Sequence, residues 1–239
     1  EVTLGVYRED EKTQEVEELS FTLVRDIITV PTIESRMLED KIGYIQLIAF
    51  EQNIHNEFVQ AKEKLEAEGM KACIIDVRGN PGGYLDQVIK IADEILGKQA
   101  IVTTEGPSEP RRTYDSDETK KFNIPFVILM NKGSASASEI LVGAIQDTGA
   151  GAVFGTESFG KGLVQDVVGL QDGSGFKLTT SVYLTPNERL ITPEEPLQPD
   201  VSQEEIEKEG YESTFDKYGR FIKDGVLDYA KDYLKEKMN

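Results

Sequence analysis

The sequence contains almost no cysteine or histidine and no long apolar segment. Its single cysteine, Cys73, cannot form an internal disulfide bond, so the fold does not depend on one. With one cysteine and one histidine, His55, a metal site built from several such side chains is excluded. No stretch approaches the roughly 18 consecutive apolar residues of a membrane-spanning helix. Any Ser-His-Asp triad would have to use His55.

Acidic residues greatly outnumber basic ones. The 44 Asp and Glu against 26 Lys and Arg give a formal net charge of −18 at pH 7. An excess of this size argues against a nucleic-acid backbone or an anionic membrane surface as a partner. Hydrophobic residues at 38% and charged residues at 29% are typical of a globular protein. The 239 residues suffice for one large domain, or for one domain and a fragment of another.

The central part of the chain alternates between apolar strand patterns and helical patterns. The strands are predicted at residues 41–50, 71–77 and 125–131, and the helices at residues 54–65, 85–95 and 137–146. Two further runs, at residues 162–170 and 176–184, flank a glycine-containing turn and predict a β-hairpin. Buried strands that alternate with helices predict a largely parallel α/β core, to which we assign residues 38–200.

Three other segments differ from this pattern. Residues 1–37 predict two short strands and a polar joint, and two strands alone are marginally stable, so this piece resembles part of a larger domain. Residues 105–121 predict a charged loop. Residues 201–239 are dense in charge, and Val226 and Tyr229 belong to an apolar pattern that predicts an amphipathic helix packed on the core.

Polar, glycine-rich segments follow the predicted strands, at the edge where open α/β sheets bind ligands. The first is DVRGNPGG at residues 76–83, whose paired glycines allow a sharp turn that presents backbone N–H groups. An ordinary strand–turn–helix connection fits this segment equally well. The second is GSASASE at residues 133–139. Serines at a helix start are usually N-caps, but free N–H groups there also favour developing negative charge.

The third segment is FGKGLVQ at residues 159–165, with Lys161 between two glycines. Such a lysine is most often solvated, but a lysine buried among apolar residues becomes neutral more readily and can act as general base to a serine. His55 is the competing base. It lies on an amphipathic helix beside Asn56 and Glu57, with no glycine-rich turn around it, so we assign it a surface or structural role.

Together and in this order, the three segments resemble the core blocks of the carboxyl-terminal processing peptidases, also called tail-specific proteases. These are serine endopeptidases with a Ser-Lys dyad, and the resemblance covers about residues 41–201. By position, it implies that Ser136 is the nucleophile, that Lys161 is the general base, and that Gln165 orients the lysine. The family mechanism needs no metal and no other cofactor.

The resemblance also implies an oxyanion hole, a fold and a cellular context. The backbone N–H groups of Gly82 and Ala137 would be the oxyanion donors. The core would be an α/β fold of the crotonase/Clp-protease type. Family members are usually exported to the bacterial periplasm or cell surface and carry a peptide-binding PDZ domain before the core. Residues 1–8 and 19–24 resemble the closing strands of such a PDZ domain, whose remainder, like any export signal, is not in this sequence.

We therefore expect a serine endopeptidase that cleaves proteins near their C-termini through an acyl-enzyme intermediate. Its substrates would be proteins or peptides bound by their C-terminal region. The segment 201–239 is a candidate for self-association, and the PDZ domain is a candidate site for a regulatory partner. One alternative is a non-catalytic scaffold that binds protein tails without cutting them. Another is acyl-CoA chemistry on the same fold, against which the acidic balance and the lack of a basic phosphate patch argue.

Overall fold

The first part of the chain, Glu1–Pro31, folds as a β-hairpin. The computed structural model describes residues 1–10, 13–26, 30–107, 109–117 and 119–238. In the hairpin, β1 (Val2–Glu9) pairs antiparallel with β2 (Val16–Leu23), as the sequence predicts. Most of the apolar side chains on these strands are exposed. That the hairpin is a remnant of a PDZ domain stays a prediction.

The second unit, Thr32–Asn239, contains all the remaining elements. In chain order its strands are β3 (Ile33–Met37), β4 (Ile42–Leu47), β5 (Ala72–Asp76), β6 (Ala100–Gly106), β7 (Glu109–Asp115), β8 (Phe126–Met130), β9 (Ala152–Gly155), β10 (Leu163–Gly169), β11 (Gly175–Leu184), β12 (Val201–Ser202), β13 (Thr214–Phe215) and β14 (Phe221–Lys223). Its helices are α1 (Ile54–Ala67), α2 (Leu85–Leu96), α3 (Ala137–Thr148), α4 (Gln203–Lys208) and α5 (Gly225–Met238). The predicted α/β class is therefore confirmed.

A six-stranded sheet in the order β12-β9-β8-β5-β4-β3 forms the centre of this unit. All neighbours are parallel except β3 and β4, which are antiparallel. Side chains alternate between the two faces of the central strands: Cys73 and Ile128 join the core that includes α1, α2 and α3, whereas Ile74 and Leu129 join the core that includes α4 and α5. Both faces are covered, which explains why these strands are mostly apolar.

A second, antiparallel sheet in the order β10-β11-β6-β7 contains the predicted hairpin of β10 and β11. The strand β7 lies in the segment predicted as a charged loop, and that prediction was wrong. The strand β7 lies at the edge of its sheet, and its residues Arg111, Arg112 and Asp115 are exposed. These charged residues hide the strand pattern in the sequence.

The N-terminal boundary of the core also differs from the prediction. Ile33–Met37 was expected to belong to a joint, but it forms β3 and pairs with β4, so the structure divides between Pro31 and Thr32. At the other end, Val201 pairs with Phe154 at the edge of the central sheet, and α5 packs against β5, β8 and β9. Across the described ranges, no helix is long and apolar enough to cross a membrane.

Candidate active site

The three polar segments follow three neighbouring parallel strands, β9, β8 and β5, at their carboxyl ends. Hydrogen bonds join the turns after β5 and β8 directly. The Gly79 N–H donates to Asn131 Oδ1 at 2.9 Å, and the Ala135 N–H donates to the carbonyl of Asn80 at 3.0 Å. The turn after β5 and the turn before α3 therefore hold each other in place, at the sheet edge where ligands bind in α/β folds.

Ser136 is the N-cap residue of α3, and its backbone is unusual. Its φ of 56° lies in the left-handed region that residues other than glycine rarely adopt. Such conformations persist where surrounding contacts enforce them, and they are common at functional sites. Here the Ser136 N–H donates to Glu139 Oε2 at 2.8 Å. The Ser136 side chain is partly exposed at the start of the helix.

The other two serines of the segment are structural. Ser134 Oγ donates to the carbonyl of Val77 at 2.8 Å, and Ser138 Oγ donates to the carbonyl of Asn80 at 2.9 Å. Both side chains are fully buried. Of the three serines, Ser136 alone has a hydroxyl that can meet a substrate.

Lys161 lies in the connection between β9 and β10, with a glycine on each side. A Cβ atom on Gly160 would lie 2.5 Å from the carbonyl oxygen of Thr192, and one on Gly162 would lie 2.3 Å from that of Ile191. Both glycines are thus required by close backbone approach. The Lys161 N–H donates to Glu139 Oε2 at 2.9 Å. Among the described residues, no carboxylate forms an ion pair with the Lys161 amine.

Gly82 lies directly against the serine turn. A Cβ atom on Gly82 would lie 2.7 Å from the Cβ of Ser136, and the Gly82 φ is +98°. Its N–H, which the sequence nominates as an oxyanion donor, donates in the structure to Asn80 Oδ1 at 2.9 Å. Within the described chain, the N–H groups of Gly83 and Ala137 have no acceptor. The sequence analysis does not include the Gly83 N–H among the candidate donors, although the paired glycines are the signal that could have found it.

Gln165 lies at a β-bulge in β10, where the register with β11 shifts after Val164. Its side-chain amide donates to Thr179 Oγ1 at 3.3 Å. The part of the chain that the structure describes contains no hydrogen bond between Gln165 and Lys161. The orienting role of Gln165 therefore stays a prediction.

The residues predicted from the sequence to form the site all line one cleft, which has a volume of about 830 Å³. Ser136, Lys161, Gln165, Gly82 and Ala137 all line it. Apolar side chains from α2, α3 and the start of β10 form much of the remaining wall: Leu85, Ile89, Ile140, Leu163 and Val164. In the described ranges, no group of three His, Cys, Asp or Glu side chains is arranged to hold a metal ion. Ser136, Lys161 and the free N–H groups of Gly83 and Ala137 therefore share one cleft, much of whose wall is apolar.

Residues 41–203 match the sequence model of Peptidase family S41. The chain belongs to peptidase family S41. It is 38% identical over 179 residues to the carboxy-terminal-processing protease of Bartonella bacilliformis, a match that covers 71% of this chain and 40% of that protein. It is also 38% identical over 190 residues to the carboxy-terminal processing protease CtpB of Bacillus subtilis, covering 78% and 39%.

Solved structures agree with this assignment to family S41. The photosystem II D1 C-terminal processing protease superposes with a TM-score of 0.66 at 28% identity, covering 84% of this chain and 55% of that one. The S41 chain spans about two fifths of the length of the curated relatives named above. The family resemblance that the sequence predicts is thereby confirmed.

His55, the competing base in the S41 chain, is not among the residues that line the cleft. Its Nε2 lies 3.2 Å from Glu94 Oε1, between α1 and α2, and Glu94 also pairs with Lys62 and Lys120. Burial alone would raise the pKa of the Glu94 carboxyl, but the hydrogen bonds from these three partners outweigh it and hold the pKa below its ordinary value. His55 thus contributes to a structural cluster on the helical face.

Two further residues of the S41 site were missed by the sequence analysis. Glu139 is fully buried and accepts hydrogen bonds from the backbones of both Ser136 and Lys161. Tyr183 lines the cleft, and its hydroxyl lies next to the carbonyl oxygens of the same two residues. The Ser-x-x-Glu spacing of residues 136–139 is a capping-box signal that could have identified Glu139. No local signal identifies Tyr183.

Proposed function

We propose that this chain is the protease core of a serine endopeptidase that cleaves proteins near their C-termini through a Ser136–Lys161 dyad. The observation that carries the proposal is that Ser136, Lys161 and unpaired backbone N–H groups line one cleft in a chain of peptidase family S41. The relatives are carboxy-terminal processing proteases, which supports cleavage near the C-terminus.

The dyad would act in two steps. The Lys161 amine takes the Ser136 hydroxyl proton while Oγ attacks the scissile carbonyl. The tetrahedral intermediate collapses to an acyl-enzyme, and the leaving amine takes the proton back from Lys161. A water molecule then attacks the ester, with Lys161 again as the base, and releases the acid and free Ser136. No metal or cofactor takes part in these steps.

Backbone donors would stabilise the oxyanion in both steps. The Ala137 N–H is the first of the 12-residue helix α3, so it has no partner within the helix, and the helix dipole adds to its effect. The turn that contains Gly82 and Gly83 also lies directly against Ser136. Donors fixed in this way stabilise charge without reorganising during the reaction, and one such donor is typically worth about 10²–10³ in rate.

A peptide substrate would bind along β10. This strand is at the edge of its sheet, and its residues Leu163, Val164 and Gln165 line the cleft. An edge strand has unpaired main-chain N–H and C=O groups to which an extended peptide can add as another strand. The apolar wall beside it would accept apolar side chains of the C-terminal region of a protein or peptide.

The cellular setting is also proposed. Members of the family that the sequence resembles are usually exported, and two of the relatives are from the bacteria Bartonella bacilliformis and Bacillus subtilis, so we propose that this chain works in the bacterial cell envelope. Self-association through residues 201–239 and regulation through a preceding PDZ domain stay predictions.

The test is active-site labelling combined with peptide cleavage. A fluorophosphonate probe is expected to label the folded protein at Ser136, and mass spectrometry is expected to find cleavage near the C-termini of unstructured peptides. Ser136→Ala is expected to abolish both. The matched control is Ser174→Ala, because Ser174 is an exposed serine in the turn between β10 and β11, outside the cleft. Peptide binding without labelling or cleavage would instead identify a non-catalytic scaffold.

A further inference from the structure

Glu139 receives more hydrogen bonds than a helix cap requires. Its Oε2 accepts from the Ser136 N–H at 2.8 Å and from the Lys161 N–H at 2.9 Å. Its Oε1 accepts from Ser158 Oγ and from the Gly160 N–H, both at 2.6 Å. The side chain is fully buried. Four donors on two oxygens match the acceptor-only form of a carboxylate, which no neutral side chain reproduces.

Tyr183 approaches the same two residues from their carbonyl side. Its hydroxyl lies 2.5 Å from the Lys161 carbonyl oxygen and 3.1 Å from the Ser136 carbonyl oxygen. A third acceptor, Glu139 Oε2, is 3.4 Å away. The Tyr183 ring is buried on β11. One hydroxyl hydrogen serves these acceptors, and the Lys161 carbonyl is the nearest.

These two side chains therefore bridge the nucleophile and the base at the backbone. Glu139 accepts from both peptide N–H groups, and the Tyr183 hydroxyl lies by both carbonyl oxygens. Ser136 starts α3 and Lys161 lies in the connection before β10, so no element of secondary structure contains both residues. The Phe159 N–H also donates to the Ser134 carbonyl at 3.0 Å and so joins the same two loops, but Glu139 and Tyr183 contact the backbones of Ser136 and Lys161 themselves.

We propose that Glu139 and Tyr183 are positioning residues that hold the backbones of Ser136 and Lys161 next to each other, so that the Lys161 amine can reach the Ser136 hydroxyl. The inference rests on the proposed Ser136–Lys161 dyad and assigns neither residue a direct contact with substrate. A displacement of about 1 Å between reacting groups can lower a rate about 10²-fold, so a bridge of this kind acts on kcat rather than on substrate binding.

A second capping box in the chain separates this role from ordinary helix capping. At the start of α4, the Ser202 N–H donates to Glu205 Oε2 at 2.8 Å, the same distance as in the Ser136–Glu139 pair. The Glu205 carboxylate is exposed, and among the described residues it accepts hydrogen bonds only from Ser202. Glu205→Gln thus makes the same change in a capping box that has no link to the cleft.

The experiment compares Glu139→Gln, Tyr183→Phe and Glu205→Gln with the wild-type chain. Folding is checked by circular dichroism and thermal unfolding, and kcat, KM and the rate of fluorophosphonate labelling of Ser136 are measured. We expect kcat and the labelling rate to fall about 10²-fold in Glu139→Gln and about tenfold in Tyr183→Phe. KM should stay within about threefold, because the peptide-binding wall is unchanged. Glu205→Gln should match the wild-type chain.

A wild-type kcat in folded Glu139→Gln or folded Tyr183→Phe overturns the proposal, and so does an equal loss in Glu205→Gln. If Glu139→Gln fails to fold, Tyr183→Phe, which removes a single oxygen atom, decides the outcome. Ser136→Ala and Lys161→Ala are assayed in parallel. If these two variants keep their activity, the proposed dyad is wrong. If they are inactive while folded Glu139→Gln is fully active, the dyad stands and the positioning role is refuted.

Discussion

At the scale of single residues, Tyr183 is the clearest case of a group whose ionisation is set by its surroundings. Burial raises the pKa of the Tyr183 hydroxyl, and the neighbouring Glu139 carboxylate raises it further. In the folded protein Tyr183 therefore keeps its proton and remains a hydrogen-bond donor well beyond neutral pH. In the unfolded chain, a tyrosine loses its proton near pH 10, so the two states differ above that pH.

This difference predicts how Tyr183 contributes to stability. Because the folded pKa is raised, the contribution is fully present below about pH 10 and is lost as pH rises further. We expect Tyr183→Phe to lower the free energy of unfolding by about 1–2 kcal/mol at pH 7 to 9. Above about pH 10 the gap between the two proteins should shrink, as the wild-type chain alone loses this contribution. Urea unfolding from pH 7 to 11 measures the gap, and a constant gap would contradict the buried donor.

At the scale of elements, Arg78 joins the turn after β5 to the start of α5. Its Nη2 lies 2.6 Å from Asp76 Oδ2 and 2.7 Å from Asp224 Oδ2, and all three side chains are largely buried. Burial alone would lower the pKa of Arg78, but the two carboxylates outweigh it and raise the pKa. The turn that carries Gly82 is therefore held from the C-terminal segment of the chain.

We expect Asp224→Asn to lower the free energy of unfolding by about 1–3 kcal/mol, because it leaves Arg78 with one carboxylate instead of two. The substitution keeps the helix cap, since an asparagine oxygen can still accept from the Leu227 N–H. The control on the same helix is Asp228→Asn, which breaks a partly exposed pair with Lys231 and should cost less than about 1 kcal/mol. Urea unfolding compares the two, and equal losses would show that the Arg78 link adds nothing.

The elements also show what the sequence can and cannot predict. Residues 71–77 and 125–131 are recognisable as strands because both faces of the central sheet are covered and most positions are therefore apolar. The edge strands β7 and β3 carry charged residues on their open faces and were assigned to a loop and a joint. Their pairing with β6 and β4 depends on contacts between chain segments that local patterns do not encode.

At the scale of the whole molecule, the fold brings the ends of three neighbouring strands to one cleft. The sequence alone placed these glycine-rich and small-residue segments after apolar strands, but only their resemblance to a peptidase family assigned roles to Ser136, Lys161 and Gln165. It did not locate the bond from Lys161 to Glu139, which joins positions 22 residues apart, or the pairing of the Gly82 N–H with Asn80. Those contacts follow from the way separate loops pack, and only the tertiary structure contains them.

The most direct test of the account is the turnover number of four variants: Ser136→Ala, Lys161→Ala, the double variant, and His55→Ala as a control outside the cleft. Because Ser136 and Lys161 would act as one unit, each single variant should lose at least about 10³-fold in kcat, and the double variant should be no slower than either. His55→Ala should stay within about threefold of the wild-type kcat, since its ring pairs with Glu94 on the helical face. A double variant much slower than both single variants, or a loss of about 10³-fold in His55→Ala, would contradict the Ser136–Lys161 mechanism.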